Sequence, residues 1–219
     1  MSHGGMSAMV LVLLLYGCNR EIPVAESPNV IGYEVQGTVT DQIGNPIPYV
    51  KVLVDYTLNL VGGDTAATRG YFFSEPTAAV QTVVVNWDNQ IVRALTQPQN
   101  YSGWYEILWD GKDSSGTLVP SGIYYVQYRA GGVVRFSYNQ LVSGGEVATT
   151  DVQGNYTIPI QNLPIDSSSV PDFSYDDSTY DGNLQVTNDI IFTYIYGTNV
   201  KQIERELGEG QITVVNVIF

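Results

Sequence analysis

Apolar and polar residues alternate singly along several stretches of this chain, and a side-chain period of two is the signature of strands rather than helices. Tyr33, Val35, Gly37 and Val39 fall on one face, while Glu34, Gln36, Thr38 and Thr40 fall on the other. After a turn at Asp41 to Pro46, Val50, Val52, Val54 and Tyr56 again share a face. Ile190, Phe192, Tyr194 and Tyr196 alternate with Ile191, Thr193 and Ile195, so both faces are largely apolar and an interior strand is predicted. Composition points the same way: 14% of residues are charged, whereas 16 are Tyr and 22 Gly, a balance that suits pleated, half-buried surfaces. The expected fold class is all-β. The one helical candidate is Val200 to Leu207, stopped by Gly208.

Cys18 is the only cysteine, and it closes the run Leu15-Tyr16-Gly17-Cys18 after the apolar stretch Met9 to Tyr16. That stretch is too short to span a bilayer, which takes about 20 apolar residues, but it fits the apolar core of a secretory signal. Residues 1–17 therefore read as a signal peptide, and Cys18 as a lipidation site that resembles the lipobox of bacterial lipoproteins. The resemblance implies export to the bacterial outer membrane or cell surface, with the membrane as a partner through the lipid anchor. The alternative is an uncleaved apolar tail with a chance cysteine. Residues 18–32 carry Pro23 and Pro28 and no sustained period, as a tether would.

A net charge of −13 with no basic stripe repels phosphate backbones and argues against nucleic acid as a partner. It also argues against an electrostatic hold on anionic membranes, so attachment must come from lipid, and stable anchoring takes more than one acyl chain. The single histidine, His3, lies in the leader. The mature chain would then have no imidazole and no free thiol, which removes Ser-His and Cys-His nucleophile pairs and zinc sites built on His or Cys. The chain is expected not to be an enzyme.

Two separated stretches, VQGTVTDQIGNPIPYVKVLV and TTDVQGNYTI, resemble the carboxypeptidase regulatory-like family, a transthyretin-like β-sandwich. Between them, Trp109-Asp110-Gly111-Lys112-Asp113-Ser114-Ser115-Gly116, followed by Val119, Ser121, Gly122 and Tyr124, is similar to the immunoglobulin-like domain of the flagellar hook-capping protein. These resemblances imply a sandwich of residues 33–63 and 144–219 with an Ig-like sandwich, residues 64–143, inserted in one of its loops. Gly62-Gly63 and Gly144-Gly145 mark the flexible points where the chain leaves and rejoins the first module.

Several residues are candidates for binding. Asp110 and Asp113 have calcium-like spacing, yet the turn lacks the further carboxylates of an EF-hand loop, so they are expected to accept hydrogen bonds from turn amides. Asp172, Asp176, Asp177 and Asp181 gather in the acidic loop of residues 172–183, where they form either a calcium site or a solvated, self-repelling loop. Tyr124, Val126 and Tyr128 share a face and read as core, and the tryptophans likewise, which leaves Tyr125 as the outward contact candidate. The stretch QITVVNVIF, residues 211–219, has no charge, glycine or proline. It is either the last strand of its own sheet or a strand donated to another copy of the chain. The expected role is a structural or adhesive one at the cell surface. The alternatives are an extracellular filament or pilus subunit joined by strand donation, and a carbohydrate- or calcium-dependent binding module.

Overall fold

The computed structural model describes residues 32–62, 67–166, 170–173 and 180–219, and within them the regular structure is almost entirely strand. The first strands are β1 (Tyr33–Thr40), β2 (Lys51–Val61), β3 (Tyr71–Val85), β4 (Ile91–Ala94) and β5 (Gln99–Tyr105). There follow β6 (Gly122–Ala130), β7 (Val133–Val142), β8 (Gly145–Thr149) and β9 (Asn155–Ile158), then a single 3-10 turn at Ile160–Asn162. The last are β10 (Val170–Phe173), β11 (Tyr180–Tyr196), β12 (Asn199–Glu206), β13 (Gln211–Val214) and β14 (Val217–Ile218).

Three connections share the sequence Asp-x-x-Gly and fold alike. Asp41 Oδ1 accepts the N–H groups of Ile43 at 3.0 Å and Asn45 at 2.8 Å. Asp113 Oδ1 accepts those of Ser115 at 2.8 Å and Thr117 at 3.0 Å, and Asp151 Oδ1 those of Gln153 at 2.9 Å and Asn155 at 2.8 Å. In each, the glycine N–H returns to the Asp carbonyl, and the glycine takes a φ of +75° to +88° that a side chain would disfavour. One carboxylate thus satisfies the amides of a five-residue reversal. These bonds favour the ionised form. The Asn45 side chain holds the Asp41 carboxyl below its ordinary range, and Ser115 does the same for Asp113.

In the first sandwich β1 is interior. On one side it pairs antiparallel with β9; on the other it pairs parallel with β13 and β14. The facing sheet runs β10-β11-β2-β8, with β12 also on β11, so β11 is interior as its two apolar faces require. Val35, Val39, Val50, Val52, Val54, Ile190 and Phe192 fill the space between the sheets with no exposed surface. One polar pair sits among them: the Tyr194 hydroxyl lies 2.6 Å from that of Tyr156, which donates to the Val215 carbonyl at 2.7 Å. Gly37 makes this possible, since a Cβ there would stand 1.9 Å from the Val215 oxygen.

The second core belongs to the sheet β4-β3-β6-β7, with β5 also on β3. Tyr124, Val126 and Tyr128 point into it as their alternation requires. Trp109 packs edge-on against Tyr124 at 5.1 Å and donates Nε1–H to the Lys112 carbonyl at 2.7 Å, closing the Trp-Asp-Gly loop on itself. Trp87 and Trp104 correct the expectation that the tryptophans are core, being 65% and 52% exposed. Trp87 rides the turn from β3 to β4, and Trp104 stands opposite Phe72 on the solvent face, over the bare α-carbon of Gly70.

The expected helix at Val200 to Leu207 is instead β12. Gly197-Thr198 forms a two-residue hairpin that sets Tyr196 opposite Asn199 and commits the following residues to pairing with β11, whatever their helical propensity. The two modules meet at Ser121, which is fully buried. Its hydroxyl donates to the Val54 carbonyl at 2.6 Å and accepts the Gly145 N–H at 2.8 Å, while its carbonyl accepts Asn162 Nδ2–H at 2.5 Å. Gly144 also donates to Val54, at 2.8 Å. Because β2 continues to Val61, about 23 Å further at strand rise, the chain leaving β7 returns to the middle of β2 rather than to its end.

Candidate functional site

The candidate residues are scattered over the molecule. Cys18, Asp176 and Asp177 lie outside the described residues. Asp172 is in β10, opposite Gly182, and Asp181 is in β11 beside the bulge that separates these pairings, so two of the four carboxylates come to neighbouring positions. Among the described residues no three His, Cys, Asp or Glu side chains converge as a metal site would require. Tyr125 is half-buried in β6, opposite Asn139 and Val85.

A more coherent site lies at one end of the first sandwich. Gly32 immediately precedes β1, and eight residues later, about 27 Å at strand rise, β1 runs into the Asp41 loop. The Asp151 loop lies alongside, with Val39 N–H donating to the Gly154 carbonyl at 2.8 Å. The β11–β12 hairpin reaches the same end, because Ile195 pairs with Lys51. The C-terminal segment ends there as well: Phe219 N–H donates to the Thr40 carbonyl at 2.8 Å, and the Phe219 ring lies 6.1 Å from that of Tyr196.

This end carries a set of apolar side chains in water. Ile43 at the tip of the first loop is 84% exposed and Tyr49 is 71% exposed; Val152, Val200 and Ile218 are also exposed. Tyr49 holds a φ of +62°, where an L side chain costs about 1–2 kcal/mol. Its backbone is pinned on both sides. Tyr49 N–H donates to the Thr150 carbonyl at 3.0 Å, Val50 N–H to Thr150 Oγ1 at 2.9 Å, and the buried Thr150 hydroxyl to the Ile47 carbonyl at 2.8 Å. A large apolar ring is thereby held out in solvent by a strained, over-determined backbone, the combination that marks contact sites. The alternation and the Asp-x-x-Gly loops announce the strands and turns around it. Nothing in Pro48-Tyr49-Val50 announces a left-handed tyrosine.

Several clefts lie where the modules meet, two of them of similar volume. One, of about 420 Å³, opens beside Gly32 between Trp87 and Ile160, with the Tyr33 hydroxyl donating to Asp166 Oδ2 at 2.8 Å in its wall. The other, of about 410 Å³, lies over Phe173 and includes Asp172. The Arg69 guanidinium covers the Phe173 ring at 5.5 Å and pairs through Nε with Glu106 Oε1 at 2.5 Å. Both clefts mix apolar and polar lining, Asp110, Asn139, Gln140 and Asp172 in the second and Gln161, Asp166 and Glu209 in the first.

Residues 56–133 match the FlgD Ig-like domain family. The matched span runs from the middle of β2 to the start of β7, and it takes in the Trp109-to-Gly116 loop and the Ser121-Gly122 junction. No curated protein matches the chain.

Proposed function

We propose that this chain is a non-enzymatic lipoprotein of the bacterial cell surface, anchored through acylated Cys18, whose coupled sandwiches hold an apolar tip away from the membrane for adhesive contact. One observation supports the reading: β1 begins at Tyr33 and ends at Thr40 beneath Ile43 and Tyr49, so the exposed tip lies at the far end of β1 from where the chain enters it. The FlgD Ig-like match supports a structural module, and the regulatory-like pieces supply the strands and loops of the tip. Loops fixed by Asp-amide bonds lose little entropy on contact, which favours binding by a small apolar patch.

The reading is tested by expressing Tyr49→Gly in the native cells and measuring attachment to an apolar abiotic surface and to one another. Membrane-associated protein with reduced attachment supports adhesion. Unchanged attachment favours one of the other roles. Of these, a filament joined by strand donation would require residues 211–219 to leave β1 for another copy, and a calcium-dependent module would require the loop of residues 172–183 to bind the ion. Filaments on native cells, or a melting temperature raised by calcium over chelator, would favour those readings.

A further inference from the structure

Two of the outermost strands around the first core are built differently. β12 pairs with β11 alone, and its residues include Lys201, Glu204, Arg205 and Glu206, the charges by which edges ordinarily resist pairing with other chains. β13 pairs with β1 alone among the described residues, and from Gln211 to Phe219 there is no charged side chain and no proline. Val214 and Ile218 are more than half exposed. In a protein of net charge −13, this uncharged segment is where a second copy can approach without charge repulsion.

The direction of the free edge follows from the bonds on the occupied side. Val215 N–H donates to the Gln36 carbonyl at 2.9 Å, and in a ladder successive residues turn their amides to opposite sides. Ile212 and Val214 therefore direct their N–H and C=O groups away from β1. We propose that the chain pairs with a second copy of itself through this edge, antiparallel, about a two-fold axis at Thr213. Ile212 of one copy then stands opposite Val214 of the other, each pair exchanging two main-chain hydrogen bonds, and the two Thr213 residues meet at the centre as a non-hydrogen-bonded pair. The arrangement is isologous and closes at two copies. It leaves β13 and β14 on their own β1, so no strand is donated.

The register makes the test specific. Opposed residues of a non-hydrogen-bonded antiparallel pair have Cα atoms about 4.5 Å apart, within the span of a disulfide. In the full chain carrying Cys18→Ser, which leaves an introduced thiol as the only one, Thr213→Cys should give a covalent dimer on mild oxidation. Gln202→Cys, on the charged edge, should not. The unmodified chain should show a concentration-dependent dimer by sedimentation equilibrium, and Val214→Lys should weaken it by about tenfold or more with unchanged melting. A chain that stays monomeric at all concentrations overturns the proposal. So does a dimer indifferent to Val214→Lys, or cross-linking no better from residue 213 than from residue 202.

Discussion

The hydroxyl of Ser121 donates to the main-chain carbonyl of Val54 across 2.6 Å, and this bond ties the Ig-like core to the middle of the longer sandwich. With the Gly145 N–H as donor to the same hydroxyl, one side chain of the Ig-like module satisfies two backbone groups of the longer sandwich in a place closed to water. The modules should therefore behave as one body.

Removing that hydroxyl takes the acceptor from the buried Gly145 N–H and one of two donors from the Val54 carbonyl, which keeps the Gly144 N–H. Ser121→Ala is expected to cost about 1–3 kcal/mol by denaturant unfolding. It should also split a single transition into two, because each module keeps its own core.

Gly37→Ala tests the close approach of the C-terminal segment to β1. The added carbon would fall 1.9 Å from the Val215 oxygen and 2.8 Å from the Tyr156 hydroxyl, neither of which can withdraw without breaking their mutual bond. A loss of about 3 kcal/mol is expected, with the 211–219 segment becoming open to limited proteolysis.

Tyr49→Gly separates stability from contact. Glycine accepts the +62° φ without strain, and the lost side chain is mostly in water, so stability should hold or rise by up to about 1 kcal/mol in thermal melts. A clear fall in stability would show that the ring packs more than its exposure indicates.

The buried tyrosines predict an alkaline limit. Burial pushes the hydroxyls of Tyr124, Tyr128 and Tyr156 up to about 12, from 10.0 for a free tyrosine. Groups raised in the folded state contribute stability that is whole below pH 10 and is lost as pH climbs through 12. Tyrosinate absorbance should therefore lag behind that of free tyrosine and rise together with unfolding. Tyr156→Phe should lessen the dependence.

Much of this architecture is legible in the chain itself. Single alternation identifies β1, β2 and β11 because one residue in two must enter a core, and the Asp-x-x-Gly pattern identifies the loops because a carboxylate and a left-handed glycine are what such a reversal needs. β12 is not legible: its Lys, Gln, Glu and Arg residues favour helix, and only a two-residue hairpin one step earlier decides otherwise. The exposure of Trp87 and Trp104 is hidden for a different reason, since residue type marks a ring as apolar without saying on which side of a sheet it falls. The tip is assembled from four separate stretches, and the left-handed backbone of Tyr49 depends on Thr150, about a hundred residues away in sequence.

Attachment of native cells to an apolar abiotic surface most directly tests the proposed role, in which an anchor at one end of the sandwich serves an apolar contact at the other. Cells carrying Cys18→Ser should release the protein and lose attachment. Cells carrying Tyr49→Gly should retain the protein in the membrane fraction and lose attachment to a similar degree. Full attachment by the Tyr49→Gly cells, or membrane retention of the Cys18→Ser protein, would contradict the account.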